Sequence, residues 1–392
     1  MRRPLSFEPD MYLLEHDAKQ LLARHGIAVP DGRLIERDET IYRPALPAGQ
    51  WVVKGQIASG GRGKAGIIRK AYTLQDITDH VDAILGAIVN GHQVQSVRIE
   101  QQVIGYDEAY VGLLLDATAG SVRVIMSARG GVEVEALPPE DIRSASAAPD
   151  AAALAACVRR VAAQFAGSVG SALREAGEKL ARVFLEREAL LIEINPLFVR
   201  PDGQWLAGDA KFVTDDNALE RQPEIRELLE RRAAAYPEAA LKLDHGFDFV
   251  VVDPQGELGL LTTGAGLSMM LIDELRAAGL KPYNFLDIRT GGLRGETTRL
   301  VSVLSWIAAG PCVRAVLVNI FAGITDLGEF SKLLVSALQQ VPRLRVPVVA
   351  RLVGNGLPAA RDVLAQAGVT LYTDLDEAVA EVRKHLKTNA QD

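Results

Sequence analysis

Hydrophobic positions follow several different rhythms along the first half of the chain and one repeated rhythm along the second. Leu14, Ala18, Leu21 and Leu22 keep a helical spacing that Gly26 stops. Trp51-Val52-Val53-Lys54 reads as a short strand, opening into a glycine-rich basic loop from Gln56 to Gly66. Residues 97–103, 109–116 and 122–127 are strand-like, and an alanine-rich helical stretch runs from about 150 to 189. Next comes Leu191-Ile192-Glu193-Ile194-Asn195-Pro196-Leu197, an apolar strand that carries Glu and Asn two positions apart, so both project from one face. Asp209 follows a turn at Pro201-Asp202-Gly203, at hairpin distance from Asn195. A charged connector spans about 214–243.

From Asp248 onward, apolar runs and helical patterns alternate. The spacing predicts strands at 258–262, 284–288, 315–320, 346–352 and 369–373. It predicts helices centred on 270–278, 300–308, 330–338, 359–367 and 377–385. The strands are continuous apolar runs, as expected of strands buried on both faces. Five such βα units predict a doubly wound parallel sheet, with ligands at the carboxyl ends of its strands. Three loops fall there: Thr263-Gly264-Ala265-Gly266, Arg289-Thr290-Gly291-Gly292 and Phe321-Ala322-Gly323-Ile324-Thr325.

A length of 392 residues is too great for one core and predicts two or three domains. The 48% hydrophobic and 24% charged content is that of a globular protein. A net charge of −7 argues against a sequence-independent nucleic-acid binder. Two cysteines, Cys157 and Cys312, give neither a disulfide framework nor a CxxC zinc site, which fits a reducing cytoplasm. The first residues lack the apolar core of a signal peptide, and no apolar run reaches a membrane-spanning length.

Candidate chemistry concentrates in the first half. An Asn amide oxygen and one or two carboxylates on one face (Glu193, Asn195, Asp209) suit Mg²⁺ held against nucleotide phosphates, although an ordinary polar-faced hairpin has the same pattern. Gly60-Gly61-Arg62-Gly63-Lys64 would let backbone N–H groups approach a polyphosphate, with cations alongside and Lys54 at the strand end. A flexible basic hairpin tip would read the same way. Glu100 ends an apolar strand, a usual place for a group that binds ribose or an adenine amino group, and Glu108 follows after a short segment. The six histidines (His16, His25, His80, His92, His245 and His385) lie in no glycine-rich or metal-ligand context and read as surface or capping residues.

Taken together, these segments resemble the β subunit of succinyl-CoA synthetase, the nucleotide-forming succinate–CoA ligase, and the related large subunit of malate–CoA ligase. The resemblance is nearly full length. It runs from Glu15-His16-Asp17-Ala18-Lys19-Gln20-Leu21-Leu22 through Lys54 and the Gly60–Gly66 loop to Gly130-Gly131-Val132-Glu133, Glu193-Ile194-Asn195-Pro196-Leu197 and Asn217-Ala218-Leu219-Glu220. In the second half it covers Gly264-Ala265-Gly266-Leu267, Asn284-Phe285-Leu286-Asp287 and Val316-Leu317-Val318-Asn319-Ile320-Phe321. It implies an ATP-grasp region over residues 1–240, in two subdomains with a break near 105, then a flavodoxin-like CoA-ligase domain over 241–392. It also implies nucleotide contacts from Lys54, Gly61, Arg62, Gly63, Glu100, Val103 and Glu108. Mg²⁺ would be held by Asn195 and Asp209, and Glu193 would assist phosphorylation of a histidine. The acid would contact Thr263, Gly323, Ile324 and Thr325. The implied reaction joins an acid to CoA at the expense of ATP or GTP, through an acyl phosphate and a phosphohistidine. The histidine and the main CoA site would belong to an α-like partner subunit.

The sequence departs from the family pattern mainly in the acid-binding half. Thr263 replaces an Asn, Arg289-Thr290 enters a glycine loop, Asp326 stands where a basic residue is expected, and Val353-Gly354-Asn355-Gly356 replaces Glu-Gly-Asn-Asn. Arg289 and Arg294 add donors to a substrate-side loop. Two readings follow: a paralogue that still uses succinate, or one whose acid has changed to malate or another small anionic acid. Outside this activity stand a citrate–CoA ligase type of subunit and a non-catalytic nucleotide-binding paralogue. Intact Glu193, Asn195 and Asp209 argue against the last.

Overall fold

The computed structural model describes residues 11–36, 46, 49–58, 62–89, 92–132, 134–288, 295–323 and 325–388. The chain divides into two compact units, Met1–Leu228 and Leu229–Asp392.

The first unit opens with strand β1 (Met11–Leu13) and helix α1 (Glu15–Arg24). After β2 (Gly32–Glu36), β3 (Trp51–Gln56), β4 (Ile68–Ala71) and α2 (Leu74–Ile84) come a two-residue hairpin, β5 (Ile88–Val89) with β6 (His92–Gln93), and β7 (Ser96–Gln101). Strands β2-β7-β3-β4 pair in that order as an antiparallel sheet. Thr73 caps α2 through a reciprocal pair of bonds with Asp76, fixing where the helix begins. Ile77, Val81 and Ile84 of α2 then close over Val53, Ile67, Val97 and Ile99.

A larger sheet follows from β8 (Asp107–Asp116), β9 (Ser121–Ser127), β10 (Ile142–Ala147), β11 (Ala189–Val199), β12 (Trp205–Ala207) and β13 (Lys211–Thr214). Its order is β1-β13-β11-β8-β9-β10, with β12 also on β11. The alanine-rich stretch is two helices, α3 (Ala151–Ala162) and α4 (Gly167–Glu186), because the chain turns between them. Strand β11 alternates as its sequence predicts. Ile192, Ile194, Leu197 and Val199 are buried, while Glu193 and Asn195 take the other face. Its register against β8 slips by one residue between Ile194 and Leu197, a bulge at Asn195-Pro196.

Part of the charged connector is helical, as α5 (Pro223–Arg231) and α6 (Pro237–His245). The second unit continues with β14 (Asp248–Val251), β15 (Leu258–Thr262), α7 (Ala265–Ala277), β16 (Asn284–Asp287), α8 (Thr298–Ala308), β17 (Ala315–Ala322), α9 (Leu327–Gln340), β18 (Val348–Gly354), α10 (Leu357–Gln366), β19 (Thr370–Tyr372) and α11 (Leu375–Thr388). Strands β15-β17-β18-β19 form a parallel ladder. β16 lies on the far side of β15, joined in good part by side chains. The Asn284 amide accepts from Leu260 N at 2.9 Å and donates to Leu260 O at 2.8 Å, standing in for a backbone partner. The spatial order β16-β15-β17-β18-β19 is the doubly wound, flavodoxin-like arrangement that the alternation predicts. β14, not foreseen, adds antiparallel to the outer edge of β16. Leu261, Val316, Val318, Ile320, Leu304 and Phe330 lie at the heart of its core.

Candidate active site

In the first unit, a cluster of charged side chains lies where the smaller sheet meets the turn that leads into β13. On β7, Arg98 and Glu100 share one face, and Lys54 of β3 stands opposite Arg98 on the same face. Lys54 Nζ lies 2.5 Å from Glu100 Oε1, and it donates to Glu15 Oε1 at 2.9 Å and to the Gly208 carbonyl at 3.0 Å. Arg98 Nε donates to Glu100 Oε2 at 2.8 Å. Gly32, opposite Glu100 on β2, leaves the space for this. A Cβ there would come within 2.6 Å of the Arg98 guanidinium carbon.

Helix α1 supplies the other side of the cluster. Glu15 and Lys19, one turn apart and 2.6 Å from each other, both project inward. Lys19 Nζ donates to Glu100 Oε2 at 2.7 Å and to Gly208 O at 2.8 Å. Arg62, in the turn that closes the glycine-rich loop, donates to Glu15 at 2.5 Å and to both oxygens of Asp209 at 2.7 Å. Side-chain exposure is 1% for Glu15, 0% for Lys19 and 3% for Glu100, against 26% for Asp209, so the cluster opens at Asp209.

Burial opposes every charge here, and the partners decide the outcome. Burial would raise the Glu15 carboxyl, but Arg62, Lys19 and Lys54 hold it well below the usual carboxylate range. Burial also works against the cations Lys54 and Arg62. Glu100 and Glu15 beside the first, and Asp209 and Glu15 beside the second, nonetheless lift both above their ordinary values. Burial wins at Lys19, whose ammonium falls below its usual value, and at Asp209, whose carboxyl rises despite Arg62.

The Glu193–Asn195–Asp209 trio lies on the larger sheet. Leu197 pairs with Ala207 and Glu193 with Lys211 in one continuous register, which sets Asp209 across from Asn195. Asn195 Oδ1 accepts from Gly131 N at 2.8 Å and Nδ2 donates to Val132 O at 2.9 Å, so its amide is oriented by both ends. Gly131 has φ +72°, and Glu108 packs against the face where a side chain would be. Tyr110 Oη donates to Glu193 Oε2 at 3.4 Å. Among the described residues no group of three or more His, Cys, Asp or Glu could hold a metal ion. A fixed amide oxygen across from a carboxylate nevertheless fits Mg²⁺, which keeps several waters and takes only one or two protein oxygens beside phosphate.

The other sequence candidates divide. Val103 is half-buried in the segment joining β7 to β8, and Gly63 lies in the turn of residues 62–66 with open space around its Cα. Glu108 is exposed and lies against Gly131, the residue whose N–H bonds Asn195. Glu100 is buried, and its carboxylate is bound by Lys19, Lys54 and Arg98. His16 is not a surface residue either: it is half-buried, with Nδ1 2.9 Å from Arg98 Nη1. Gly61, Ile324, Arg289 and Arg294 lie outside the described residues. Sequence reasoning missed Glu15, Lys19 and Arg98 as members of the cluster. The available signal was a pair of opposite charges one turn apart, in register with the apolar face of α1.

In the second unit, Thr263 follows β15, and Gly323 and Thr325 follow β17. These neighbouring strands are where the strand order reverses, the usual ligand crevice of such a sheet. Asp326, where a basic residue was expected, caps α9: its Oδ1 accepts from Glu329 N at 3.0 Å. Asp287 Oδ1 likewise accepts from Gly264 N at 2.8 Å, at the start of α7.

Comparison with known proteins shows the family and the fold. Residues 12–199 match the ATP-grasp domain family and residues 261–384 the CoA-ligase family. The chain is 37% identical over 388 residues to the β subunit of an ADP-forming succinate–CoA ligase of Chloroflexus aurantiacus, covering 96% of this chain and 100% of that protein. It is 33% identical to the corresponding ADP-forming subunit of Desulfurococcus amylolyticus, with 95% and 98% covered. Against the GDP-forming subunit of Thermus thermophilus it is 36% identical, with 95% and 98% covered. Among solved structures, ATP citrate lyase from Methanothrix soehngenii, in complex with citrate and coenzyme A, superposes with a TM-score of 0.68 at 18% identity, covering 92% and 95%, a likeness of fold. The chain therefore belongs to the succinate–CoA ligase β-subunit family, with an ATP-grasp region followed by a flavodoxin-like CoA-ligase domain. No helix among the described residues is long and apolar enough to cross a membrane.

Proposed function

We propose that this chain is the β subunit of a cytoplasmic acid–CoA ligase. With an α-like partner it would convert a small carboxylic acid, CoA and ATP or GTP into acyl-CoA, nucleoside diphosphate and phosphate. The observation that carries this reading is the cluster in which Lys54 and Arg62 reach toward Asp209, itself across from Asn195. Phosphoryl transfer asks a protein mainly for charge neutralisation and alignment. Lys54 and Arg62, each held on one side by internal carboxylates, would direct their positive charge to nucleotide phosphates. Asn195 and Asp209 would hold Mg²⁺, which when bound screens the phosphate oxygens. Glu193 Oε2 would accept the N–H of an incoming imidazole on the partner and so orient its other nitrogen. Gly61, Gly63, Glu108 and Val103 complete the proposed nucleotide contacts, with Glu100 acting through Lys54.

The acid would bind at Thr263, Gly323, Ile324 and Thr325. A hydroxyl at Thr263 in place of an amide, and a carboxylate at the start of α9, favour a changed acid over succinate, since mismatched polar partners discriminate strongly. Nothing specific favours the non-catalytic reading. The test is a coupled assay on the purified αβ complex with a panel of acids. Acyl-CoA formation that requires both subunits, CoA and Mg²⁺–nucleotide is the expected result. Absence of turnover with every acid would overturn the reading, and best turnover on succinate would remove the changed-acid refinement.

A further inference from the structure

Two residues that the reaction does not use touch almost everything in the nucleotide cluster. Glu15 and Lys19 lie in the first turns of α1, at 1% and 0% side-chain exposure. Glu15 Oε1 takes Lys54 and Oε2 takes Arg62, so one carboxylate spans the cation on β3 and the cation of the glycine-rich turn. Lys19 holds both Glu15 and Glu100, and it shares the Gly208 carbonyl with Lys54. Gly208 precedes Asp209 and donates its own N–H to Pro196 O at 2.9 Å, next to Asn195. A buried ion pair on a short helix is therefore tied to the phosphate-facing cations and to the peptide carrying the metal-facing carboxylate.

Burying such a pair is unfavourable by itself, and an apolar pair of the same volume would pack the helix equally well. What an apolar pair could not do is aim Lys54 and Arg62 and fix the Gly208–Asp209 peptide. We propose that Glu15 and Lys19 are positioning residues for the nucleotide site, setting Lys54, Arg62 and Asp209 at once. This rests on the nucleotide reading above.

Charge alone predicts the opposite of positioning. Glu15→Gln removes a negative charge near the phosphates, so by charge alone nucleotide should bind more tightly. By positioning, affinity for Mg²⁺–ATP should fall by about 10–100-fold, the usual loss when a supporting partner is removed.

The experiment uses the αβ complex and measures equilibrium binding of Mg²⁺–ATP, KM and kcat, with thermal unfolding as the control. Three variants are compared: Glu15→Gln, Glu15→Asp and the charge-balanced double Glu15→Gln/Lys19→Met. Glu15→Asp keeps the charge but withdraws it by one methylene, and it serves if Glu15→Gln does not fold. The expected result is weaker binding and a higher KM for nucleotide, with KM for CoA unchanged, in every variant that folds, the double variant included. Unchanged or tighter nucleotide binding in Glu15→Asp, or recovery of wild-type binding in the double variant, would overturn the proposal. Wild-type complex that binds no nucleotide would instead overturn the functional reading on which it rests.

Discussion

Asp209 carries opposite demands within one side chain. Burial lifts its carboxyl above the usual range, so its ionised form is less favourable in the folded chain than in the unfolded one. At neutral pH it therefore costs stability. Asp209→Asn relieves that cost but leaves Arg62 without its two-oxygen partner, so it should lower the melting temperature less than Glu15→Gln does while weakening Mg²⁺–nucleotide binding; thermal unfolding and calorimetric titration read the two effects. Glu15 and Glu100 behave in the reverse sense. Their folded values lie below the ordinary one, so their stabilising contribution is complete above the unfolded carboxylate value and is lost as pH falls through the lowered values. Chemical denaturation across an acid pH series should show that decline. Glu15→Gln should flatten it and lower neutral-pH stability by about 3 kcal/mol, since it leaves buried cations short of a partner. At this scale, sequence was informative wherever chemistry sat on a regular element. Glu193 and Asn195 could be put on one face because a strand alternates. The enclosure of Glu100 could not be read, because it depends on α1 and β7 meeting across a long stretch of chain.

At the scale of elements, the second unit was the more legible. All five βα units appear where the apolar runs place them, and the errors are at the ends. β18, for example, is Val348–Gly354, where the apolar run predicts 346–352. β14 escaped notice because it is short and pairs antiparallel on an edge, where burial leaves little pattern. In the first unit the hairpin of β11 and β12 followed from its turn residues. The bulge at Asn195-Pro196 did not, since a bulge depends on the partner strand. That bulge and the Gly131 turn jointly aim the Asn195 amide. Gly131→Ala must adopt a left-handed backbone and displace Glu108. It should cost about 1–2 kcal/mol in denaturant unfolding and weaken nucleotide binding as the backbone N–H that orients Asn195 shifts.

At the scale of the molecule, the two units divide the proposed labour. The charged cluster of the first would serve phosphate chemistry, and the crevice of the second would take the acid. The departures from the family pattern expected from the sequence fall mainly in the second. Substitutions in one should therefore move one set of constants. In the αβ complex, Thr263→Asn should change the ratio of kcat/KM between succinate and the preferred acid, with KM for nucleotide held constant. A shift in nucleotide KM instead would show that the two sites are not independent.

The Asn284 amide gives the second unit an unusual seam. It replaces backbone partners for Leu260, while Thr262 and Gly264 reach across to Leu286 and Asp287 with one side chain on each bond. A ladder of peptide groups cannot be altered by mutation, but a seam stitched by side chains can. Asn284→Leu would strand both polar groups of Leu260, and the Leu260 amide should then exchange with solvent deuterium well before those of β17 and β18. Heritable variation thus has direct access to how firmly β16 is held against the parallel strands. Single codon changes can reset that hold there and leave the rest of the ladder intact.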